Sequence, residues 1–261
     1  MNSNREEEDG FDKVLAFVRD ELDPHIEGYT RSYLRRRVDS RVRRADCDSY
    51  EGYLSILRED GDERRELMDS FWINVTEFFR NPEVWELVYD VFPDDAVTAS
   101  VGCADGRETY SLSMVADAKG TDATVVGTDI DPKAVEIARR GVYNGVNTDR
   151  FEGMSFVDDV DDYIEKVEEG YRVTDKVREN TRFGVSNAME ASKRYRFDIV
   201  LCRNLLIYVD TDRRDRIFDA VTGMLADDGF LVLGKTESLP ADYRDVFSAV
   251  DRKLRIYRYE G

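Results

Sequence analysis

Apolar residues recur at helical spacing through the first part of the chain. Between Phe11 and Leu22 they return every three or four positions, which predicts an amphipathic helix. Asn81-Pro82 is a helix start signal, because proline is tolerated at the first helical position. The remaining predicted helices of this part cover Thr30–Arg44, Ser49–Glu59, Asp62–Trp72 and Glu83–Phe92. We therefore predict an all-helical N-terminal domain over residues 1–93 that ends in a short linker.

The pattern changes from Ala96 onwards, where short runs rich in β-formers alternate with helical stretches. The predicted strands are Ala96–Val101, Thr124–Asp129, Thr181–Val185, Phe197–Cys202, Gly229–Gly234 and Lys253–Tyr259. The predicted helices are Glu108–Lys119, Pro132–Arg140 and Thr211–Leu225. Such alternation is typical of a parallel sheet wrapped by helices, so we predict an α/β domain over residues 94–261. Residues from about 150 to 180 break the alternation and predict a small inserted subdomain.

Composition indicates a folded protein and excludes several kinds of site. Apolar residues make up 41% of the 261 residues, which is enough for a sizeable core. No stretch approaches the roughly 18 consecutive apolar residues of a membrane span, and the polar N-terminus does not resemble a secretory signal. The three cysteines are far apart and His25 is the only histidine. We therefore predict neither disulfides nor a metal site, and a cytoplasmic location.

The charge balance is strongly acidic, with a net charge of −18. Of the 38 basic residues, 8 are lysines and 30 are arginines. An acidic surface with few lysines keeps a protein hydrated in concentrated salt, so we predict a halophilic, salt-adapted protein. The alternative is an acidic soluble protein of ordinary origin.

Two strand ends carry groups that suit a nucleoside ligand. The first strand leads into a loop with Gly102 and Gly106, where small residues let a ligand approach the backbone and the next helix offers free N–H groups. A tight turn that needs glycine would show the same residues, and the dinucleotide fingerprint G-x-G-x-x-G is absent. The second strand ends at Asp129, whose carboxylate can accept hydrogen bonds from both ribose hydroxyls. Asp131, before Pro132, suits a helix cap instead.

Two further runs add polar groups to the same region. A buried strand delivers Arg203, Asn204 and then Tyr208, and ligands of open α/β sheets bind beyond the carboxyl ends of the strands. The alternative is that Arg203 and Asn204 satisfy loop backbone. The run Asn74–Pro82 is dense in groups that bind polar ligands, although its phenylalanines suit packing and Arg80 would also suit an ordinary surface position.

In their order and spacing, these runs resemble the CheR-type chemotaxis receptor methyltransferases over nearly the whole chain. The similar segments are Asn74-x-Thr76-x-Phe78-Phe79-Arg80, Gly102–Ser111, Thr128–Asp131, Cys202–Tyr208 and Gly234–Ser238. Within the loop, Arg107 stands where the family usually has an acid and Thr109 where it usually has proline. The resemblance implies a helical domain followed by a Rossmann-like S-adenosylmethionine-dependent methyltransferase domain, with a small subdomain inserted.

The resemblance also implies an activity and residue roles. The enzyme would methylate glutamate side chains of chemotaxis receptors, leaving S-adenosylhomocysteine and glutamate methyl esters. Its partners would be the acidic cytoplasmic helices of receptors, with no nucleic acid and no membrane insertion, and it would act as a monomer. The residues assigned to the cofactor are Asn74, Thr76, Arg80, Gly102, Glu108, Asp129, Asn187, Ala188, Arg203 and Asn204. Arg80 and Tyr208 match residues beside the transferred methyl group.

This chemistry needs no general base. A glutamate carboxylate has a pKa of about 4.3, so at neutral pH it is already an anion that can attack a sulfonium methyl group. The enzyme has to hold carboxylate oxygen, methyl carbon and sulfur in line, away from water. We predict that Arg80 and Tyr208 are the catalytic pair that orients the carboxylate and shapes the methyl pocket. Arg80 would orient only lightly, because a strong salt bridge would blunt the nucleophile.

The predicted helix Thr30–Arg44 is unusually basic for so acidic a chain. Leu34, Val38 and Val42 recur every four residues and predict its buried stripe. Its seven arginines are Arg31, Arg35, Arg36, Arg37, Arg41, Arg43 and Arg44, of which Arg37, Arg41 and Arg44 would share a face. A basic surface suits an acidic protein helix or nucleic acid. We expect receptor docking; nucleic acid binding and ion pairs within the chain are the alternatives.

Two other functions use the same residues. A methyltransferase of another protein or of a small molecule would keep every cofactor residue and differ only in its substrate. A non-catalytic module that binds S-adenosylmethionine or S-adenosylhomocysteine as a sensor belongs to a different class, and the presence of Arg80, Tyr208, Asp129 and Asn204 argues against it. A nicotinamide dehydrogenase is disfavoured by the missing third glycine.

Overall fold

The structure is a computed structural model that describes residues 2–22, 26, 29–71, 76–190 and 195–261, with residues 2–6 and 190 described by their backbone alone. The helices are α1 (Asn2–Glu21), α2 (Arg31–Arg44), α3 (Tyr50–Glu59), α4 (Gly61–Phe71), α5 (Pro82–Val91), α6 (Arg107–Lys119), α7 (Pro132–Arg140), α8 (Asp149–Glu152), α9 (Asp175–Arg178) and α10 (Thr211–Thr222). The strands are β1 (Val97–Val101), β2 (Thr124–Asp129), β3 (Val142–Tyr143), β4 (Ile164–Val167), β5 (Gly170–Val173), β6 (Thr181–Val185), β7 (Phe197–Cys202), β8 (Leu225–Leu233), β9 (Phe247–Asp251) and β10 (Ile256–Tyr259).

These elements form two compact units. One unit comprises Met1–Ile73 with Tyr208–Arg213, and the other comprises Asn74–Ile207 with Arg214–Gly261. The division therefore falls before Asn74, ahead of the predicted linker near residue 93. Helix α5 belongs to the second unit, because its inward side chain Trp85 is buried in the core of that unit.

The helical unit is built around the apolar stripes that the sequence predicts. On α1, Phe11, Val14 and Val18 are fully buried. On α2, Leu34 and Val38 are buried, and Thr30 is the residue that precedes the first turn. Helices α3 and α4 complete this core from their own buried faces. Among the helices that the structure describes, none is long and apolar enough to cross a membrane.

The second unit contains the predicted α/β architecture. Its seven-stranded sheet has the order β6-β2-β1-β7-β8-β10-β9. The first five strands of that order are parallel to one another, and β10 runs antiparallel to both β8 and β9. Strand β7 is apolar except for Asp198, and it is buried at Phe197 and from Ile199 to Cys202, as expected for a strand covered on both faces.

A small antiparallel sheet is inserted between α7 and β6. Its strand order is β3-β5-β4, and it begins at Val142, somewhat before the stretch in which the sequence predicts an insert. The buried residues Tyr143, Ile164 and Val173 join the insert to the core of the second unit.

Candidate active site

The parallel part of the sheet brings four predicted cofactor residues to one edge. Strands β6, β2, β1 and β7 are consecutive neighbours. At or just beyond their carboxyl ends lie, in that order, Asn187, Asp129, Gly102 and Arg203. In open α/β sheets ligands bind beyond the carboxyl ends of the strands. The four residues therefore lie where a nucleoside cofactor is expected.

The loop after β1 is folded around the carboxylate of Asp129. Gly102 has a φ of 74°, a left-handed conformation that favours glycine. The N–H groups of Gly102 and Cys103 both donate to the carbonyl of Thr128, at 2.8 and 3.0 Å. The next N–H, that of Ala104, donates to Oδ2 of Asp129 at 2.8 Å. Gly102 therefore forms the tight turn that was the alternative interpretation of this loop. The same turn shapes the sheet edge where a ligand would approach.

Asp129 keeps acceptor capacity for a ligand. Its Oδ1 accepts the N–H of Asp131 at 2.9 Å, and the N–H of Ile130 also faces the carboxylate. A carboxylate offers roughly four acceptor positions, so these N–H groups do not use all of them. Burial raises the pKa of Asp129, and the backbone N–H groups oppose that rise. Asp131 caps α7 by accepting the N–H of Lys133, as the sequence predicts.

Glu108 and Arg203 form a buried ion pair. Glu108 lies in the first turn of α6 and accepts hydrogen bonds from Ser100 Oγ at 2.9 Å and Arg203 Nη1 at 3.1 Å. The Arg203 side chain is 1% exposed. Burial raises the pKa of the Glu108 carboxyl, and Arg203 opposes that rise. Since a buried charge is tolerated when it is paired, Glu108 has a structural task, and its cofactor role stays a prediction.

Arg203 also anchors the segment that carries Arg80. Its Nη2 donates to the carbonyl of Arg80 at 2.9 Å and to Oδ1 of Asn81 at 3.0 Å. Trp85 Nε1 donates to the same Arg80 carbonyl at 3.0 Å, and the Arg203 guanidinium lies 5.6 Å from the Trp85 ring centroid. Arg203 therefore satisfies loop backbone, which was the alternative to a ligand role, and at the same time fixes Arg80 beside the sheet edge.

The predicted residues before Arg80 are only partly described. Asn74 lies outside the described residues. Thr76 is half-buried, and its carbonyl accepts a hydrogen bond from Arg107 Nη1 at 3.1 Å. Arg107 also donates to the carbonyl of Gly145 at 3.3 Å and lies 4.5 Å from the ring centroid of Tyr143. The departure from the family pattern at Arg107 therefore has a structural use, because this arginine ties the insert to the start of α6.

The loop after β6 carries the predicted adenine-flanking pair. Asn187 and Ala188 are half-buried, and Oδ1 of Asn187 accepts the N–H of Met189 at 3.0 Å. This bond caps the short 3-10 turn Ala188–Glu190. The backbone of this turn is therefore set by Asn187 itself, and contact of the pair with adenine stays a prediction.

Glu237 and Asn81 are two residues of this region to which the sequence assigned no role. Glu237 is 4% exposed and accepts backbone hydrogen bonds from the loops after β7 and β8. Its only signal in the sequence was its place in the Gly234–Ser238 segment that resembles the family. Asn81 has a φ of 62° and accepts a hydrogen bond from Arg203, whereas the sequence indicated only a helix start.

Tyr208 belongs to the helical unit, at the beginning of α2. Its carbonyl accepts the N–H of Thr30 at 2.8 Å, and its ring centroid lies 5.2 Å from that of Tyr33. The Tyr33 hydroxyl donates to the carbonyl of Phe71 at 2.6 Å, and Arg37 Nε donates to the Tyr33 hydroxyl at 3.3 Å. The predicted catalytic tyrosine is therefore held by a buried aromatic residue of the predicted docking helix.

Among the contacts described, three of the seven arginines on α2 form ion pairs within the helical unit. Arg41 is 8% exposed and pairs with Glu63 at 2.5 Å, and Arg31 and Arg35 both pair with Glu8. The assignment of Arg41 to docking is therefore wrong, because its guanidinium is buried against α4. For these three residues the alternative of ion pairs within the chain holds.

Besides the paired Arg31, three arginines of α2 are exposed, and they form a different face from the predicted one. Arg36 and Arg43, at i and i+7, lie on one line of the helix, and Arg44 lies roughly 80–100° further round the axis, so Arg36, Arg43 and Arg44 form a broad strip. Arg37 is half-buried, with its guanidinium 5.2 Å from the ring centroid of Tyr33. The strip Arg36-Arg43-Arg44 thus replaces the predicted face Arg37-Arg41-Arg44.

Comparison with known proteins agrees with this architecture. The family model for the CheR methyltransferase SAM binding domain matches residues 74–256, and that for the CheR methyltransferase all-alpha domain matches residues 9–71. The chain is 28% identical over 240 residues to a probable biofilm formation methyltransferase WspC of Pseudomonas putida, which covers 86% of this chain and 56% of the relative. The chain thus spans little more than half the length of that relative.

Two other relatives are matched over most of their length. Chemotaxis protein methyltransferase 2 of Vibrio cholerae is 26% identical over 234 residues, covering 82% of this chain and 80% of the relative. A probable chemotaxis protein methyltransferase of Rhizobium etli is 27% identical over 244 residues, covering 85% and 89%. Among solved structures, a TehB-like SAM-dependent methyltransferase from Corynebacterium glutamicum is matched over 67% of this chain and 84% of its own, with 16% identity and a TM-score of 0.40. Since the two family models match nearly the whole chain in the order of its two units, the chain belongs to the CheR methyltransferase family, whose cofactor is S-adenosylmethionine.

Proposed function

We propose that this methyltransferase transfers the methyl group of S-adenosylmethionine to glutamate side chains of chemotaxis receptors, in the cytoplasm and as a monomer. The observation that carries the proposal is the exposed strip Arg36-Arg43-Arg44 on α2, in a chain of net charge −18. A basic strip is complementary to an acidic helix, and it offers that helix a local site of attraction on a protein whose net charge would otherwise repel it. The names of two relatives, both chemotaxis protein methyltransferases, agree with such a substrate.

The cofactor would lie along the sheet edge. Asp129 would accept the two ribose hydroxyls with the acceptor positions that its backbone contacts leave. Asn187 and Ala188 would flank the adenine, and Gly102 would let the ligand approach the backbone. The remaining residues proposed for the cofactor are Asn74, Thr76, Arg80, Glu108, Arg203 and Asn204.

The bound cofactor supplies an electrophilic methyl group on a sulfonium. The substrate glutamate is ionised at neutral pH, so no protein group has to remove a proton. Arg80 and Tyr208 would orient the carboxylate oxygen towards the methyl carbon and shape the pocket. Because Tyr33 of α2 packs against Tyr208, the helix that docks the substrate would also set the position of a catalytic side chain.

A second candidate differs only in the substrate. One relative is named for biofilm formation, so methylation of another signalling protein is the runner-up. A small-molecule substrate and a non-catalytic binding module are the remaining alternatives. All three alternatives keep the cofactor edge, and each predicts that the α2 strip is irrelevant to a chemotaxis receptor.

The test is transfer of labelled methyl groups to a receptor cytoplasmic fragment, measured in molar potassium chloride and again in moderate salt. Removing the strip with the triple change R36Q, R43Q and R44Q should raise KM for the receptor about tenfold in moderate salt, since exposed charge pairs contribute about 0.2–1 kcal/mol each. The values of kcat and of KM for S-adenosylmethionine should not change.

A matched triple change controls for net charge. Arg58 on α3, Arg140 on α7 and Arg252 in the turn between β9 and β10 are exposed arginines away from α2, and their replacement by glutamine removes the same charge. An equal rise in the receptor KM for this control, or no rise for the α2 variant, would contradict the docking proposal. Wild-type protein that methylates other proteins but never a receptor would favour the runner-up.

A further inference from the structure

A buried carboxylate joins the loops that follow β7 and β8. Glu237 is 4% exposed, and its two oxygens accept three backbone N–H groups. Asn204 donates to Oε2 at 2.8 Å, Gly234 donates to Oε2 at 2.7 Å, and Leu206 donates to Oε1 at 2.7 Å. An ionised carboxylate is an acceptor at both oxygens, so it satisfies all three donors at once.

The backbone on both sides is shaped to admit this carboxylate. A Cβ at Gly234 would lie 2.6 Å from Oε2 of Glu237 and 2.8 Å from the backbone nitrogen of Asn204, closer than real contacts allow. Asn204 has a φ of 59°, a left-handed conformation that asparagine adopts more readily than most residues with a side chain. This left-handed residue and the bare glycine meet at the same carboxylate, which holds the two loops together.

The clamped turn carries two of the residues proposed for the cofactor. Arg203 directly precedes Asn204, and its guanidinium reaches Glu108 and the carbonyl of Arg80. The direction in which Arg203 and Asn204 leave the end of β7 depends on the path of the backbone at Asn204. Glu237 fixes that path through its hydrogen bonds to the N–H groups of Asn204 and Leu206, so its effect on a ligand would pass through the turn.

We propose that Glu237 is a positioning residue, which holds the Arg203–Leu206 turn in the conformation that binds S-adenosylmethionine. The inference rests on the proposed cofactor roles of Arg203 and Asn204. The negative charge is essential to it, because a glutamine of the same size would turn one acceptor into an N–H donor that faces a backbone N–H. A carboxylate at this place therefore does what a neutral isostere cannot.

The test compares Glu237→Gln with a matched loss of another carboxylate. Asp198 Oδ2 accepts the N–H of Val97 at 2.8 Å, at the amino ends of β7 and β1 and so away from the cofactor edge. Asp198→Asn therefore weakens a similar bond in the same sheet. Affinity for S-adenosylhomocysteine is measured by calorimetric titration, at a temperature where circular dichroism shows that each variant is folded.

Glu237→Gln should weaken binding of S-adenosylhomocysteine about tenfold, the effect of one or two misplaced hydrogen bonds. It should raise KM for S-adenosylmethionine and leave KM for the protein substrate unchanged. Asp198→Asn should lower the unfolding temperature without changing the affinity. Gly234→Ala, which pushes the Glu237 carboxylate away, should weaken binding of S-adenosylhomocysteine as Glu237→Gln does. It tests the positioning role of Glu237 if the glutamine variant does not fold.

Unchanged affinity in folded Glu237→Gln, or an equal loss in Asp198→Asn, would overturn the positioning role. The titration involves no receptor, so a failure of the receptor proposal leaves its result untouched. If wild-type protein bound no S-adenosylhomocysteine, that result would contradict the proposed cofactor site at the sheet edge itself.

Discussion

The buried pair of Glu108 and Arg203 allows a prediction with a worked magnitude. In Glu108→Gln the Arg203 guanidinium, 1% exposed, loses the carboxylate that lies 3.1 Å from its Nη1. Removing one partner of a buried pair costs about 3–5 kcal/mol, because the other charge stays buried. Glutamine keeps an oxygen that can accept from Ser100 or Arg203, so we expect a loss near the lower end, about 3 kcal/mol in the free energy of unfolding.

A double-mutant cycle isolates the pair from other effects of each change. Arg203→Met should also destabilise, because it leaves the Glu108 carboxylate and the Arg80 carbonyl without this donor. The double variant should lose less than the sum of the single losses, with a coupling of about 2 kcal/mol. Urea unfolding followed by circular dichroism at fixed potassium chloride measures all four proteins. Losses that add within about 0.5 kcal/mol would show that the two side chains do not act as a pair.

Burial raises the pKa of Asp105 to about 6 from 3.8, so the ionised form costs about 3 kcal/mol in the folded state at pH 7. Below the unfolded-state pKa of 3.8 this cost is absent, and above the folded-state pKa of about 6 it is complete. Asp105→Asn should therefore raise the free energy of unfolding at pH 7, and this gain should disappear as the pH falls towards 4. A gain that does not depend on pH would refute the prediction. Tyr33→Leu, which removes the ring beside Tyr208, should lower kcat about tenfold with unchanged affinity for S-adenosylhomocysteine. Tyr33→Phe, which keeps the ring, should keep most of the turnover. Equal kcat in the wild type and both variants would show that Tyr33 does not position Tyr208 for catalysis. Potassium chloride should raise the unfolding temperature up to molar concentrations, since it screens the repulsion of a net charge of −18, and a flat salt dependence would contradict salt adaptation.

The parallel strands were predictable because their sequence signal is local. The bounds of β2, β6 and β7 coincide with the predicted runs, each of which is rich in β-forming residues. Strand β9 was missed, since four of its five residues are exposed or half-buried and give no apolar run. The helices of the first part were also predicted, but a buried stripe does not say which core buries it. Helix α5 was therefore assigned to the helical domain although its Trp85 packs in the α/β unit.

Site residues could be predicted where they belong to a sequence motif. Their roles were harder to predict where those roles depend on a partner that is distant along the chain. Arg41 shares its helix and residue type with Arg44, yet Glu63 on α4 draws it into the interior. Glu108 carries a cofactor expectation from the motif, but its ion pair depends on Arg203, which lies 95 residues away along the chain. Glu237 could not be singled out, because its three partners are backbone N–H groups that any sequence would provide.

The most direct test of the account is the chemical nature of the product. Wild-type protein is incubated with methyl-labelled S-adenosylmethionine and a receptor cytoplasmic fragment, and the washed fragment is treated with mild alkali. A glutamate methyl ester releases its label as volatile methanol, so the account predicts release of most of the label, and no incorporation with Asp129→Ala. Label that survives alkali, or no transfer to the receptor by folded protein that binds the cofactor, would contradict glutamate methylation of receptors.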